Sequence, residues 1–441
     1  ETRDGGYIVG GYFSSSNIEL RNGLSLINKG STSYSDGMVI KYDASGHEEW
    51  AKTIGGTYDE VISTVAETRD GGYIVGGYFD SEEIDLGNET KLTKSNDLIN
   101  HKDGMIIKYD VSGEVEWARR IGGTSNEWIE SVTETTDGGY IGGYFCSNSI
   151  DLGNGVVITN KSEQNVYDDG MLVKYNEVGE VEWAKTIGGN LNDQIISMAE
   201  TSDGSYIVVG EFSSSSIDLG NGIKLIKISS SPSSVEGMVI KYNSSGEAEW
   251  AHTIGASVKS VLEATDGGYI VGGCFTSNSI DLGNNITLVR NGSNYVPDGM
   301  IIKYNTSGEA EWARGIGGTD SDVIKSITKC NDGGYIIGGY FRSSSIDLGN
   351  GIVLSNSGDF DGMIIKYNAN REVEWAQRIG GTNEDEINLV SETQDGGYIV
   401  GGYFKSSSID LGNGISLSNS GDSDGMVLKI IDKIGVPEVQ E

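Results

Sequence analysis

Short apolar runs with period-two alternation recur along the whole chain, in groups of four separated by Gly- and Asp-rich turns. One group shows the pattern. Residues 61–66 form a first run. The turn Thr68-Arg69-Asp70-Gly71-Gly72 follows, in which Asp supplies a side-chain cap and Gly a positive φ. Residues 73–79 form a second run, 105–109 a third announced by Asp103-Gly104, and 115–121 a fourth closed by Gly122-Gly123-Thr124. Between the second and third lie Ile84-Asp85-Leu86-Gly87-Asn88 and a loop of variable length. Runs of this length, bounded by such turns, predict antiparallel strands, four to a unit. No window shows helical periodicity of useful length.

The unit repeats seven times. Its turn Asp falls at Asp4, Asp70, Asp137, Asp203, Asp266, Asp332 and Asp395, so repeats start near 1, 67, 134, 200, 263, 329 and 392. Length alone would allow two or three domains. An end-to-end repeat instead makes 1–441 a single array. Propeller blades are four-stranded antiparallel sheets, whereas coils of a β-solenoid are much shorter than this unit. The fold expected is all-β, a seven-bladed β-propeller.

Three details of the repeat carry further expectations. Trp50, Trp117, Trp183, Trp250, Trp312 and Trp375 each stand in Glu-Trp-Ala on the fourth strand, which predicts packing between blades. Gly-Gly inside the second strand predicts a bulge or a close backbone approach. The third repeat is one residue shorter there, reading Tyr140-Ile141-Gly142-Gly143-Tyr144-Phe145, so a bulge is expected in the other six repeats and none in this one. The first repeat lacks its opening run and the last lacks Glu-Trp-Ala. The chain end, near 434–439, is therefore expected beside the chain start, completing a composite blade and covering an edge.

Composition narrows the function classes. Acidic residues number 65 against 31 basic, a formal net charge of -34, which repels nucleic acid and anionic membrane surfaces. No apolar run approaches the ~20 residues that span a bilayer. Cys146, Cys274 and Cys330 are odd in number and fall at three different repeat positions, which argues against a disulfide framework. No CxxC or His-rich cluster suggests zinc.

The order Trp-Ala-x-x-Ile-Gly-Gly, Asp, an apolar run, Asp-Gly-x-Tyr-Ile-Val-Gly-x-Phe and Asp-Gly-Met-Val-Ile-Lys-Tyr-x-x-x-Gly resembles the bacterial seven-bladed propeller repeat, often labelled SBBP. The resemblance covers essentially the whole chain. It implies a part of an exported or cell-surface bacterial protein. It supplies no catalytic or ligand residues to carry over.

Chemistry is sparse. His47, His101 and His252 neither recur nor stand in a nucleophile motif, so no Ser-His or Cys-His arrangement is visible. The repeated Asp85, Asp151, Asp218, Asp281, Asp347 and Asp410 lack the D-x-D-x-D-G spacing of a calcium loop and read as turn caps. No catalytic residue, metal ligand or cofactor is expected. Variation concentrates in the loops 24–35, 89–102, 155–168, 222–235 and 285–297, with shorter ones at 351–360 and 414–423. Joining equivalent strands, they are expected to form an uneven rim on one side, with a notch at the two short loops. Loops on a rigid scaffold are where binding residues concentrate. Tyr34, His101, Tyr167, Tyr295 and Phe360 in these loops are the ligand-binding candidates. Aromatic rings suit either a glycan or a protein ligand. The sequence thus reads as a monomeric, non-catalytic binding module. A structural spacer and a carbohydrate-active enzyme whose carboxylates meet only in space are the alternatives.

Overall fold

The computed structural model describes all residues except 96–100, 136–138, 140–141, 163–165, 232–233, 293–295, 413, 433–436 and 441. The chain is all-β and forms a seven-bladed β-propeller. It divides into two compact units. One comprises Thr2–Ser234 with Ile240–Ala251, the other Glu1, Val235–Val239 and His252–Glu441. Among the described residues no helix is long and apolar enough to cross a membrane.

The second blade is representative. Its strands Glu60–Glu67, Tyr73–Phe79, Asp103–Tyr109 and Val115–Ile121 pair in chain order as an antiparallel meander. The first turn is built as its residues require. Gly71 takes φ 86°, and Asp70 Oδ1 accepts from Gly72 N at 2.9 Å and Thr68 Oγ1 at 2.6 Å. Asp70 Oδ2 also accepts from Lys108 Nζ at 2.8 Å, and Glu116 takes the same ammonium at 2.8 Å. Lys108 is 2% exposed, so the two carboxylates supply the partners a buried charge requires. Lys41 and Lys366 make the same paired contacts in the first and sixth blades.

The core lies between successive blades of each unit. One cluster joins Ile74 and Ile106 to Ile129, Val132 and Met171 of the next blade; another joins Ile301 and Ile316 to Ile324, Ile337 and Met363. The repeated Trp completes these seams. Trp50 stands 5.5 Å from Tyr73, Trp312 6.0 Å from Tyr335 and Trp375 5.6 Å from Tyr398, in each case on the following blade. A further contact keys the turns: Arg3 N donates to Glu67, Arg69 N to Glu134, Asn331 N to Glu392 and Gln394 N to Glu1.

The two glycines of the second strand have different tasks. The second and third strands pair without interruption through Gly76-Gly77, so the bulge is not on the glycines. It lies on the first strand, where the register shifts past Ser63, and likewise past Ile196, Lys259, Lys325 and Asn388. The bulge drives the Val61 carbonyl against Gly77, where a Cβ would collide with it. Gly76 faces the next blade instead, and a Cβ there would stand 2.6 Å from Ile129 Cγ2. In the third blade the missing residue does not invert the faces. Tyr144 still pairs with Gly170 and Phe145 with Asp169, as Tyr78 and Phe79 pair with Gly104 and Asp103. The ladder stops short there: the first two strands are Glu127–Trp128 and Tyr144–Phe145, and Gly143 takes a left-handed φ of 99°. Tyr140 and Ile141 lie outside the described residues.

One further expectation is corrected. Among the described residues no composite blade forms. Pro437–Gln440 pairs with Asp424–Asp432 as the fourth strand of the seventh blade, while the first blade has three strands, Tyr7–Phe13, Asp36–Tyr42 and Glu48–Ile54. Residues 434–436 of that expectation lie outside the described residues. The variable loops are also not wholly irregular. Each begins inside a two-stranded hairpin such as Glu83–Gly87 with Thr90–Thr93. The repeated Asp caps its bend: Gly87 N donates to Asp85 at 3.0 Å, and Gly153 N to Asp151 at 2.9 Å.

Candidate functional site

The start of the third strand, the end of the second and the start of the next first strand meet at one end of the first, second, third, fifth and sixth blades. Asp103 begins the third strand of the second blade, and Glu127 begins the first strand of the third blade. Both are fully buried. Glu127 accepts from Gly123 N, and Glu127 N donates to the carbonyl of Lys102 at 2.7 Å. The same contacts recur with Glu60 and Ser35, and with Asp193 and Asp168. Burial pushes Glu60 up to about 7 and Glu127 to about 8, and the neighbouring Asp36 and Asp103 charges add to it. Burial likewise raises Asp169 to about 7, with the Asp193 charge adding to it, and Asp322 to about 6. These carboxylates are sealed inside the seams. They anchor the loops and face no solvent.

Just outside them, in each unit, are side chains that do reach solvent. At the penultimate position of the second strand stand Tyr78, Tyr144 and Tyr340. Lys102 Nζ sits over the Tyr78 ring at 4.1 Å, and Lys325 Nζ lies 5.4 Å from the Tyr340 ring while pairing with Glu386. The third blade differs. Half-buried Trp128 and Tyr144 pack together with centroids 5.0 Å apart and planes tilted by 33°. The Tyr144 hydroxyl donates to Glu130 at 3.3 Å. Burial raises Glu130, opposed only by that bond. Burial also raises Asp168, against hydrogen bonds from Gln194 Nε2, at 2.9 Å, and Cys146. Burial and then the Glu130 and Asp168 charges hold the Tyr144 hydroxyl well above its ordinary range. Two aromatic rings flanked by two desolvated carboxylates thus occupy one blade end, all within one compact unit.

The residues expected from sequence lie in the loops that precede the third strands of their own blades. Tyr34 is half-buried, with its ring edge-on to Tyr58 at 5.2 Å. Phe360 is half-buried between Tyr340, at 5.0 Å, and the Arg342 guanidinium, at 5.3 Å. His101 Nδ1 contacts the Thr124 carbonyl at 3.1 Å. Tyr167 is half-buried beside Asp168, its carbonyl accepting from Asn160. Tyr295 lies outside the described residues. Tyr34 and Phe360 are therefore partly used in holding their own loops. Trp128, Glu130 and Tyr144 were missed. The available signal was that Trp128 is the one Trp outside Glu-Trp-Ala, and that Glu130 and Asp168 stand where the sixth and second repeats have Lys325 and Lys102.

Among the described residues no group of three His, Cys, Asp or Glu is placed to hold a metal ion. Among the described residues none of the three cysteines forms a disulfide. His252 stacks on Tyr304 rather than on a nucleophile.

No family profile matches the chain. Two curated proteins are similar over most of it. It is 22% identical to an uncharacterised WD repeat-containing protein, L264, of Acanthamoeba polyphaga mimivirus, covering 89% of this chain and 33% of that protein. It is 23% identical to the regulatory protein FlaEY of Caulobacter vibrioides, covering 79% of this chain and 36% of that one. The chain thus spans about a third of the length of these relatives. Among solved structures, BamB from Moraxella catarrhalis superposes with a TM-score of 0.37 at 11% identity, covering 88% of this chain and 96% of BamB. The Neurospora crassa Pan2 WD40 domain gives 0.35 at 9% identity, covering 77% and 85%.

Proposed function

We propose that this chain is a non-catalytic binding module of an exported or cell-surface bacterial protein, and that it engages a glycan or a protein through the blade end formed by Trp128, Tyr144, Glu130 and Asp168. The observation that carries the reading is the half-buried Trp128–Tyr144 pair flanked by two carboxylates. Buried aromatic anchors with adjacent polar groups are what binding hot spots consist of. The rigid blades hold the rings in place before a ligand arrives, which lowers the ordering cost of binding. The likeness to bacterial surface propeller repeats supports the location.

Glycan arrays and a panel of surface proteins test the module. Trp128→Ala should weaken the ligand found by about tenfold or more, the scale of a hot-spot truncation, while the melting midpoint stays within a few degrees. Unchanged binding in that variant would remove the site. A second reading, a glycoside hydrolase, draws on the same two carboxylates beside one ring. It requires release of reducing ends from an oligosaccharide, abolished in Glu130→Gln.

A further inference from the structure

The seven repeats act as internal controls for one another. Lys102 and Asp168 hold the same position, the residue before the Asp-Gly that opens the third strand. Lys325 and Glu130 also correspond, each three residues after the acid that begins the first strand. In the second blade the lysine lies over its Tyr at 4.1 Å, and in the sixth it lies 5.4 Å from the equivalent ring. The ring at this position thus takes an ammonium group in two separate blades. In the third blade the ring is retained as Tyr144, and Trp128 is added beside it. Both positions that could deliver the chain's own ammonium now carry carboxylates. Among the described residues no cation of the chain lies over Tyr144.

We propose that the third-blade end is a seat for a lysine side chain of a protein partner. This rests on the binding-module reading above and names its ligand. A cation over an aromatic face gains electrostatic attraction, more so where water is partly excluded. Here it would also meet Glu130 and Asp168, which are half-buried and have no cationic partner among the described residues. A metal ion is a poorer occupant, because hard cations require six or more oxygen ligands and an indole face supplies none. The partner's overall charge is complementary as well: a chain of formal net charge -34 draws in basic segments and steers their approach.

The test uses the 441-residue chain and a fluorescent peptide of alternating Gly-Ser and Lys, at 0.15 M salt. Asp168→Lys and Glu130→Lys restore the residue type that the second and sixth blades carry, so the fold has precedent for both. Each should weaken the peptide by about tenfold or more, the scale on which close charge pairs couple across interfaces. Glu177→Lys makes the same charge change at the exposed far end of the same blade and should alter binding less than about twofold, since salt screens it. Acetylating the peptide's lysines should abolish binding. Melting curves confirm that each variant is folded, and Asp168→Asn serves if a lysine variant is not. The proposal is overturned if the peptide does not bind, if its acetylated form binds equally, or if all three lysine variants behave alike. If Trp128→Ala still removes a glycan or protein ligand in that event, the binding module stands and only its lysine specificity falls. If Trp128→Ala affects no ligand either, both readings fall together.

Discussion

Replacing Gly77 with Ala tests whether the first-strand bulge dictates the glycine. A Cβ at Gly77 runs into the carbonyl of Val61, well inside van der Waals contact, and the obstacle is backbone rather than a flexible side-chain tip. Gly11 occupies the same repeat position in the first blade, which has no bulged strand alongside; its Cβ would meet only Met38 Cε, at 3.2 Å. Neither glycine has a positive φ, so backbone strain does not separate them. Overpacking a tight site costs about 1–3 kcal/mol when side chains can shift, and more when backbone must. Gly77→Ala should therefore cost about 3 kcal/mol or more. Gly11→Ala should lie between about -1 and +1 kcal/mol, because Met38 can yield and Ala restricts the unfolded chain more than Gly does. Gly339→Ala repeats the first case against the Val323 carbonyl. Urea unfolding followed by Trp fluorescence and by circular dichroism gives the midpoints and shows whether one transition serves both probes. Equal losses at Gly77 and Gly11 would refute the reasoning, since the two sites would then share a cause other than the bulge.

Three more outcomes follow from the seams. Acids raised to between about 6 and 8 (Asp193, Asp322, Glu60, Asp169 and Glu127) hold protons that the unfolded chain has already released, so their contribution is full below the ordinary carboxylate range and is lost as pH climbs through 6–8; melting midpoints should fall from pH 5 to pH 9, and a rise would contradict this. Asp70 is held at about 2 despite the desolvation that pushes it up, because Lys108, Thr68 and Gly72 hydrogen-bond its charged form; its contribution is present above about pH 4 and disappears as pH falls through 2, and Asp70→Asn should flatten that acid limb. Lys108→Met removes the buried ammonium and leaves Asp70 and Glu116, both about half exposed, to be hydrated by solvent, so it should cost no more than about 1 kcal/mol; midpoints in urea measure it, and a loss several times larger would contradict this.

The strands were legible because their signals are local. Residues 73–79 and 115–121 carry alternation, and glycine-containing turns, Asp70-Gly71-Gly72 before the first and Gly122-Gly123-Thr124 after the second, mark their ends. The hairpin strands escaped notice because three to five residues, interrupted by a bend at Asn88 and Glu89 with positive φ, show too little alternation to read. The bulge was assigned to the wrong strand for a related reason. Gly76-Gly77 is conspicuous in sequence, but the extra residue, Ser63, has nothing to mark it until the strands are paired. The candidate site needed the register too. Trp128 and Tyr144 are sixteen positions apart, and only their ladder pairing brings the two rings and Glu130 together.

The contact that keys one turn to the next blade bears on how such a chain can change its length. The donor is a backbone amide, so the residue that supplies it varies freely: Arg3, Arg69, Asn331 and Gln394 all serve. The acceptor is a single Glu at the end of the neighbouring first strand. The first, second and seventh repeats carry both halves, the amide for one neighbour and the carboxylate for the other, whereas the sixth has Lys329 at the acceptor position. A copy of a repeat with both halves therefore arrives already fitted to its neighbours at this joint, with no compensating substitution required. Copying by unequal recombination can lengthen or shorten the array at this level in one genetic event. Individuality, such as the inverted charges of the third blade, can then accumulate at the solvent-facing ends without disturbing the joints.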